Sequence, residues 1–325
     1  MSLQTSDYIG HPTQLHRVEE HRLTGGRGDG MRLVQVTNGR GLDATISADR
    51  AGDLARLSCR GMNLGFFAPC GYVAPQYYDP RDTGFLRSFT AGFLTTCGLT
   101  AVGTPCTDGG EALPLHGTIA HTPAESLQYT DDGCEIRVRL VMRDAALFAH
   151  RLVLTREYVF PLDSDRILLH DTVQNVGAHE TPYMILYHFN MGYPLLTERA
   201  ELTIPARATT PRNARAAEGL RDALRLIPPQ PEFEEQCYYH ALTEGNVSLR
   251  DPDSGVRVRL RFSLAELPCF TQWKLMESGS YVLGLEPGNC TPDGRDVLRQ
   301  SGRLRFLAPG ETASQTIQIE IGKEN

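Results

Sequence analysis

The chain has 325 residues, a mass of 36.0 kDa and a formal net charge of −7, with 41% hydrophobic and 22% charged residues. That length can bury a large core, and no apolar run approaches the ~20 residues of a membrane span. A mildly acidic chain without a basic run argues against nucleic acid as the main partner, which leaves small-molecule chemistry.

The first ten residues, MSLQTSDYIG, lack a basic-then-apolar leader, so a cytoplasmic location is expected. Residues 1–30 read as an N-terminal extension. GGRGDG at 25–30 precedes a strand and not a helix, so it reads as a turn and not a phosphate loop. Strand-like runs follow at 32–37 and 43–47, with the turn pair Asn38-Gly39 between them. Gly- and Pro-rich loops fill 61–125, interrupted by a strand-like FLRSF at 85–89; loops that long tend to be functional.

Beyond them, Ile136, Val138, Leu140 and Met142 alternate with Arg137, Arg139 and Val141, and further runs lie at 151–159, 166–174 and 183–189. Only 213–226 reads as a helix, with Ala214, Ala217, Leu220 and Leu224 on one face and Pro228-Pro229 stopping it. Strand patterns resume at 245–250, 256–262, 270–275, 280–286 and 303–307, and end with Ile317, Ile319 and Ile321 against Gln318 and Glu320. Period two with one charged face predicts antiparallel sheets with one wet side. With no repeat and no linker, the expectation is one all-β domain over 1–325, a large antiparallel sandwich spanning 31–322 with few short helices.

The eight cysteines are scattered, and the nine-residue spacing of Cys97 and Cys106 is wide for a zinc knuckle. Reduced thiols and no metal site are expected. No P-loop, dinucleotide fingerprint or G-x-S-x-G elbow is present, and His116 and His121 lack the spacing of a metal-binding helix or strand. Among the 32 basic residues only Lys274 and Lys323 are lysines, which singles out Lys274 as a compact ammonium in an arginine-rich chain.

Three segments carry chemistry together: Leu115-His116-Gly117, YHFNMGYP with His188 and Asn190 at a strand end, and LGLEPGNCTPDG with Glu286. Glu286 follows Val282, Leu283 and Leu285, so partial burial is expected, which raises a carboxylate's pKa and makes it a usable base. Each residue taken singly also reads as structural.

In order and context the three segments resemble the aldose 1-epimerases of the galactose mutarotase-like superfamily. That family carries a first histidine in L-H-G and a second after an N-x-G turn and a strand; its glutamate stands in L-E-x-x-x-x-P-D. Here these are Leu115-His116-Gly117, Asn175-Val176-Gly177 leading to His188-Phe189-Asn190, and Leu285-Glu286 leading to Pro292-Asp293. The resemblance covers roughly 30–322, and FLRSFTAGFLTTCGL and FTQWKLMESGSYVLGLEPGNC are similar to an uncharacterised, epimerase-like branch. The second glycine after L-H-G and the Tyr-Phe pair of the galactose enzymes are missing, so galactose or glucose is not implied as substrate.

The resemblance implies a β-supersandwich with an open cleft and a mutarotase needing neither metal nor cofactor. Glu286 would be the base on the anomeric hydroxyl, His188 the acid on the ring oxygen, and His116 a stabiliser of developing charge. The pH profile would be a bell whose acidic limb belongs to the carboxylate. Arg87, Lys274, Asp108, Asn190, Gln236 and Trp273 are candidate substrate contacts. Trp273 and Lys274 must face opposite sides of their strand, and Lys274 is the favoured cleft residue. The expected partner is a small carbohydrate, with no nucleic acid and no membrane; a homodimer stays open. The alternatives are a sugar-binding or regulatory protein, or a different isomerase or lyase reaction on a modified sugar.

Overall fold

Strand Glu135–Ala145 buries Ile136, Val138, Leu140 and Met142 and exposes Arg137, Arg139 and Arg143, as period two requires. In the structure, a computed structural model that describes residues 7–323, this strand belongs to an eight-stranded sheet. The spatial order of that sheet is 124–131, 135–145, 151–161, 166–175, 312–323, 256–262, 246–250 and 201–203. A seven-stranded sheet shares its core, in the order 206–211, 236–242, 269–277, 280–288, 181–191 and 305–307, with 94–99 also paired to 181–191. A five-stranded sheet runs from Arg17–Arg22 to Met62–Asn63 and adds Val34, Ile46 and Leu57 to the same core. Pairing is antiparallel throughout these sheets.

Strand Thr181–Met191 positions the rest. Tyr183, Ile185, Tyr187, Phe189 and Met191 enter the large core. Met184 and Leu186 enter a small cluster on the opposite face with Cys97, Val102, Cys290 and Leu298. Alternation therefore carries His188 and Asn190 to that opposite face.

A charged cluster sits inside the core. Arg156 is fully buried; its guanidinium donates to Asp171 through Nε (2.9 Å) and Nη2 (2.7 Å), and to Asp53 through Nη1 (2.6 Å). Nη2 also reaches the Thr96 hydroxyl, and the Tyr187 hydroxyl donates to Asp171 at 2.9 Å. Burial raises the Asp53 carboxyl and Arg156 opposes that shift. The cluster ties strands of all three sheets through buried groups.

Several expectations are corrected. Arg17–Arg22, inside the expected extension, is a strand of the five-stranded sheet. FLRSF is not a strand: Gly84–Arg87 is a 3-10 turn. The expected helix over 213–226 is helical only over Ala214–Glu218, with a 3-10 turn at Leu220–Asp222. Sheet side chains take the carbonyls a longer helix would have used: Gln272 binds Ala223 O, and Lys274 binds Asp222 O and Arg225 O. A second short helix, Arg295–Gln300, agrees with the few short helices expected, at a place no sequence signal marked. Residues 61–125 contain strand Leu94–Leu99, which is buried on both faces and so carries no alternation.

Removing one member of the buried cluster leaves an uncompensated charge in the core. Asp171→Ala should lower unfolding free energy by about 3–5 kcal/mol in urea titration. The exposed pair Arg143–Glu125 (3.1 Å) should yield ~1 kcal/mol or less when broken. Equal losses at the two places would contradict this account.

Candidate active site

Register alone places two of the three groups. The pairing of Leu186 with Gly288 and Asn190 with Gly284 puts His188 opposite Glu286 on neighbouring strands. The next strand puts Thr271 opposite Glu286 and Trp273 opposite Gly284. His188 Nε2 lies 3.1 Å from Glu286 Oε1. Gly284 leaves the space between them: a Cβ there would stand 2.5 Å from Glu286 Oε1, 3.0 Å from Trp273 Cβ and 3.2 Å from His188 Cε1.

His116 arrives from a loop. It has φ +60° and its carbonyl accepts from Gly98 N at 3.0 Å, which fixes the loop to strand Leu94–Leu99. Gly117 has φ +73°, and a Cβ there would stand 2.3 Å from Gly98 O and 2.5 Å from Ala101 O. The glycine of L-H-G is thus required by a backbone approach that no side chain permits. The His116 and His188 rings are perpendicular with centroids 5.9 Å apart. Phe89 and Trp273 also pack edgewise on His188, at 5.5 and 5.3 Å.

These groups form the floor of a cleft of about 290 Å³. Phe85, Leu86, Phe89 and Leu115 make an apolar wall, and Trp273, Glu235, Cys237 and Arg212 line the cleft with them. Glu286 Oε1 and His116 Nδ1 are buried without a hydrogen bond, and the 3.1 Å approach of His188 Nε2 to Glu286 Oε1 is an ion-pair distance rather than a hydrogen bond; the other side of the His188 ring faces Asn190. Buried polar atoms are rarely left unpaired, and these two, Oε1 and Nδ1, stand among residues that line the cleft. Burial lowers His188 to about 4. Burial, helped by His188 and Arg212, lowers His116 to about 3. Burial raises the Glu286 carboxyl well above its ordinary value; Glu235 adds to this and Arg212 opposes it.

The six secondary candidates fall differently. Trp273 lines the cleft and donates Nε1–H to Glu235 Oε2 at 2.6 Å. Lys274, on the other face of the same strand, is bound to the carbonyls of 222 and 225 and lies outside the cleft, which corrects the preference between them. Gln236 also faces that side, donating to Arg215 O at 3.4 Å, while its neighbour Cys237 faces the cleft. Asn190 lies beneath the cleft and donates to Ala91 O and His188 O. Arg87 is exposed and does not line the cleft; its carbonyl accepts from Arg27.

Asp108 is a structural anchor and not a cleft residue. It accepts from Arg295 Nε (2.6 Å) and from Arg299 Nε (2.6 Å) and Nη2 (2.8 Å). It thereby clamps hairpin Cys106–Leu113 to helix Arg295–Gln300. Its pKa is lowered, first by the Arg299 hydrogen bond.

Sequence reasoning missed Arg212 and Glu235. Glu235, Cys237 and Tyr239 stand at i, i+2 and i+4, a period that placed all three on one side once Trp273 was put in the cleft. Arg212 carries no local signal; it is brought in by a backbone bond from its N–H to Cys237 O.

The family model described as Domain of unknown function (DUF4432) matches residues 28–321. A solved structure of a candidate aldose 1-epimerase from Klebsiella pneumoniae subsp. pneumoniae MGH 78578 superposes with a TM-score of 0.88 at 26% identity, covering 95% of this chain and 85% of that one. A galactose mutarotase-like protein of Clostridium acetobutylicum superposes at TM-score 0.68 and 14% identity, covering 96% of this chain and 100% of that one. Galactose 1-epimerase of Lactobacillus acidophilus NCFM superposes at 0.64 and 15%, covering 95% and 100%. The last two show the shared galactose mutarotase-like β fold alone. No curated protein matches the chain.

A carboxyl whose folded-state pKa is raised stabilises the protein below its ordinary pKa, and that stabilisation is lost as pH rises through the raised value. Glu286→Gln removes this dependence. In thermal melts the variant should match the parent near pH 5 and become progressively more stable than it toward alkaline pH. A melting difference that stays constant with pH would contradict the raised carboxyl.

Proposed function

This chain belongs to the DUF4432 family, and from that membership and the cleft geometry we propose that it is a mutarotase, interconverting the α and β anomers of an aldose. The observation that carries the reading is the 3.1 Å contact of Glu286 and His188 at the floor of a sugar-sized cleft. Mutarotation opens a cyclic hemiacetal to the free aldehyde and recloses it on the other face. A base takes the proton of the anomeric hydroxyl, an acid protonates the ring oxygen, and the roles reverse on closure. The two oxygens share one carbon, so acid and base must stand close together. In this reading Glu286 is the base, His188 the acid, and His116 supports the charge developing beside them.

Burial gives the pair a specific proton count. It opposes the carboxylate and the imidazolium separately, so the resting pair holds one proton, on Glu286. Transfer of that proton from Glu286 to His188, relayed by a substrate hydroxyl that bridges them, produces carboxylate base and imidazolium acid with no change in net charge. A substrate that hydrogen-bonds both groups favours this form, because it replaces water lost on burial. The active enzyme is therefore the singly protonated pair, and its two apparent pKa values belong to the pair. The acidic limb arises when the pair takes a second proton, below the ordinary histidine range, and the alkaline limb when the pair loses its last one, above the ordinary carboxylate range. This reverses the assignment expected from sequence.

Anomer exchange followed by NMR on freshly dissolved sugars tests the reading. Glu286→Gln and His188→Asn should each reduce the catalysed rate by roughly 10²–10⁴ while sugar binding persists. An undiminished rate in Glu286→Gln would end the assignment. The parent profile should show its acidic fall below the ordinary histidine range; a fall centred near 6.5 would instead mark an ordinary, solvated histidine.

A further inference from the structure

The cleft wall above the Glu286–His188 pair carries one arginine and one carboxylate: Arg212 and Glu235. Arg212 is rigidly held. Its Nη2 donates to Thr104 Oγ1 (2.5 Å) and Pro292 O (3.2 Å), and its Nε lies 3.9 Å from Asp293 Oδ1. Asp293 is fixed in turn by the Tyr239 hydroxyl and by Thr291 Oγ1 at 2.7 Å. These contacts use Nε and Nη2, one edge of the guanidinium, and among the described residues none uses Nη1, on a side chain that lines the cleft. Glu235 is exposed at the mouth and gives Oε2 to the Trp273 indole, which leaves Oε1 as an acceptor.

We propose that Arg212 and Glu235 form a specificity-determining pair that receives sugar hydroxyls between them and turns away sugars bearing phosphate, sulfonate or carboxylate. The inference rests on the mutarotase reading and adds to it the residues that choose the substrate. A hydroxyl both donates and accepts, so it satisfies Glu235 Oε1 and Arg212 Nη1 together. An anionic group satisfies Arg212 but brings a second negative charge against Glu235, and behind Arg212 stands Asp293, which already matches its charge. Among the described residues no other arginine or lysine lines the cleft: Arg87 lies outside it, and the Lys274 ammonium is spent on carbonyls behind the sheet. The two histidines add no positive charge at neutral pH. A receptor for an anionic sugar would instead need an arginine free of carboxylates.

The test compares aldohexoses and aldopentoses with the uronates and terminal phosphates of the same rings. Anomer exchange is measured by NMR in the parent, Glu235→Gln, Arg212→Gln and Arg212→Lys, and sugar binding by calorimetry in Glu286→Gln carrying the same changes. The parent should favour the uncharged sugar over its anionic counterpart by tenfold or more in kcat/KM, and Glu235→Gln should narrow that ratio about tenfold. Arg212→Lys keeps the charge but loses the planar fork, so KM should rise more than kcat falls. A parent that prefers the uronate or phosphate, or a ratio unmoved in Glu235→Gln, overturns the pair while leaving the mutarotase reading intact. If no sugar is exchanged or bound, the mutarotase reading fails and the pair fails with it. Glu235 is exposed, so its variant tests the proposal without disturbing the core.

Discussion

A guanidinium without water holds this sandwich in register. Arg156 stands on a strand of the eight-stranded sheet, Asp53 on the five-stranded sheet, and Asp171 accepts from Tyr187 of the seven-stranded sheet. Slipping any of these strands by one residue would bury a charge without its partner, at a cost comparable to the whole stability of a domain. The residue after Tyr187 is His188. With Tyr187 tied inward to Asp171, alternation leaves His188 no choice but the opposite face. The core's most polar contact thus fixes the orientation of the group proposed to act as acid.

The cleft applies the same physics with opposite intent. In the core every carboxylate oxygen of the charged cluster accepts a hydrogen bond. In the cleft, Oε1 of Glu286 and Nδ1 of His116 are buried and left unmatched. Such an arrangement costs stability, and in the proposed reading a bound sugar supplies the missing partners. Gly284 belongs to this design, because its absent side chain is the room in which the carboxyl and the imidazole meet.

The walls are assembled from a distance. Asp108 holds two arginines of helix Arg295–Gln300, and the same stretch of chain delivers Pro292 and Asp293 to Arg212. Gly103 pairs with Asp293 and His116 N donates to Gly103 O, so one short run of backbone contacts links the helix, the arginine and the first histidine. Residues that looked like ligands from the sequence, Asp108 and Lys274 among them, are polar because they fasten these walls.

What the amino-acid order determines by itself is what depends on near neighbours. Alternation in 136–142, 256–262 and 317–321 is visible because each strand has one wet face, and the antiparallel β architecture follows from it. The segments around His116, His188 and Glu286 are legible as well, through the family resemblance that their order and context carry, since each residue taken singly also reads as structural. Strand Leu94–Leu99 is not legible, because burial on both faces erases the period. The helix expected over 213–226 is shortened because Gln272 and Lys274, remote in sequence, take its carbonyls. The facing of Trp273 toward the cleft and Lys274 away from it depends on which side of the sheet meets the core. Arg212, Glu235 and Asp293 converge only through pairings between distant strands and loops. Only the tertiary structure could decide these points: a side chain's chemistry is local, but its partners and its exposure to water are set by segments that the chain brings together last.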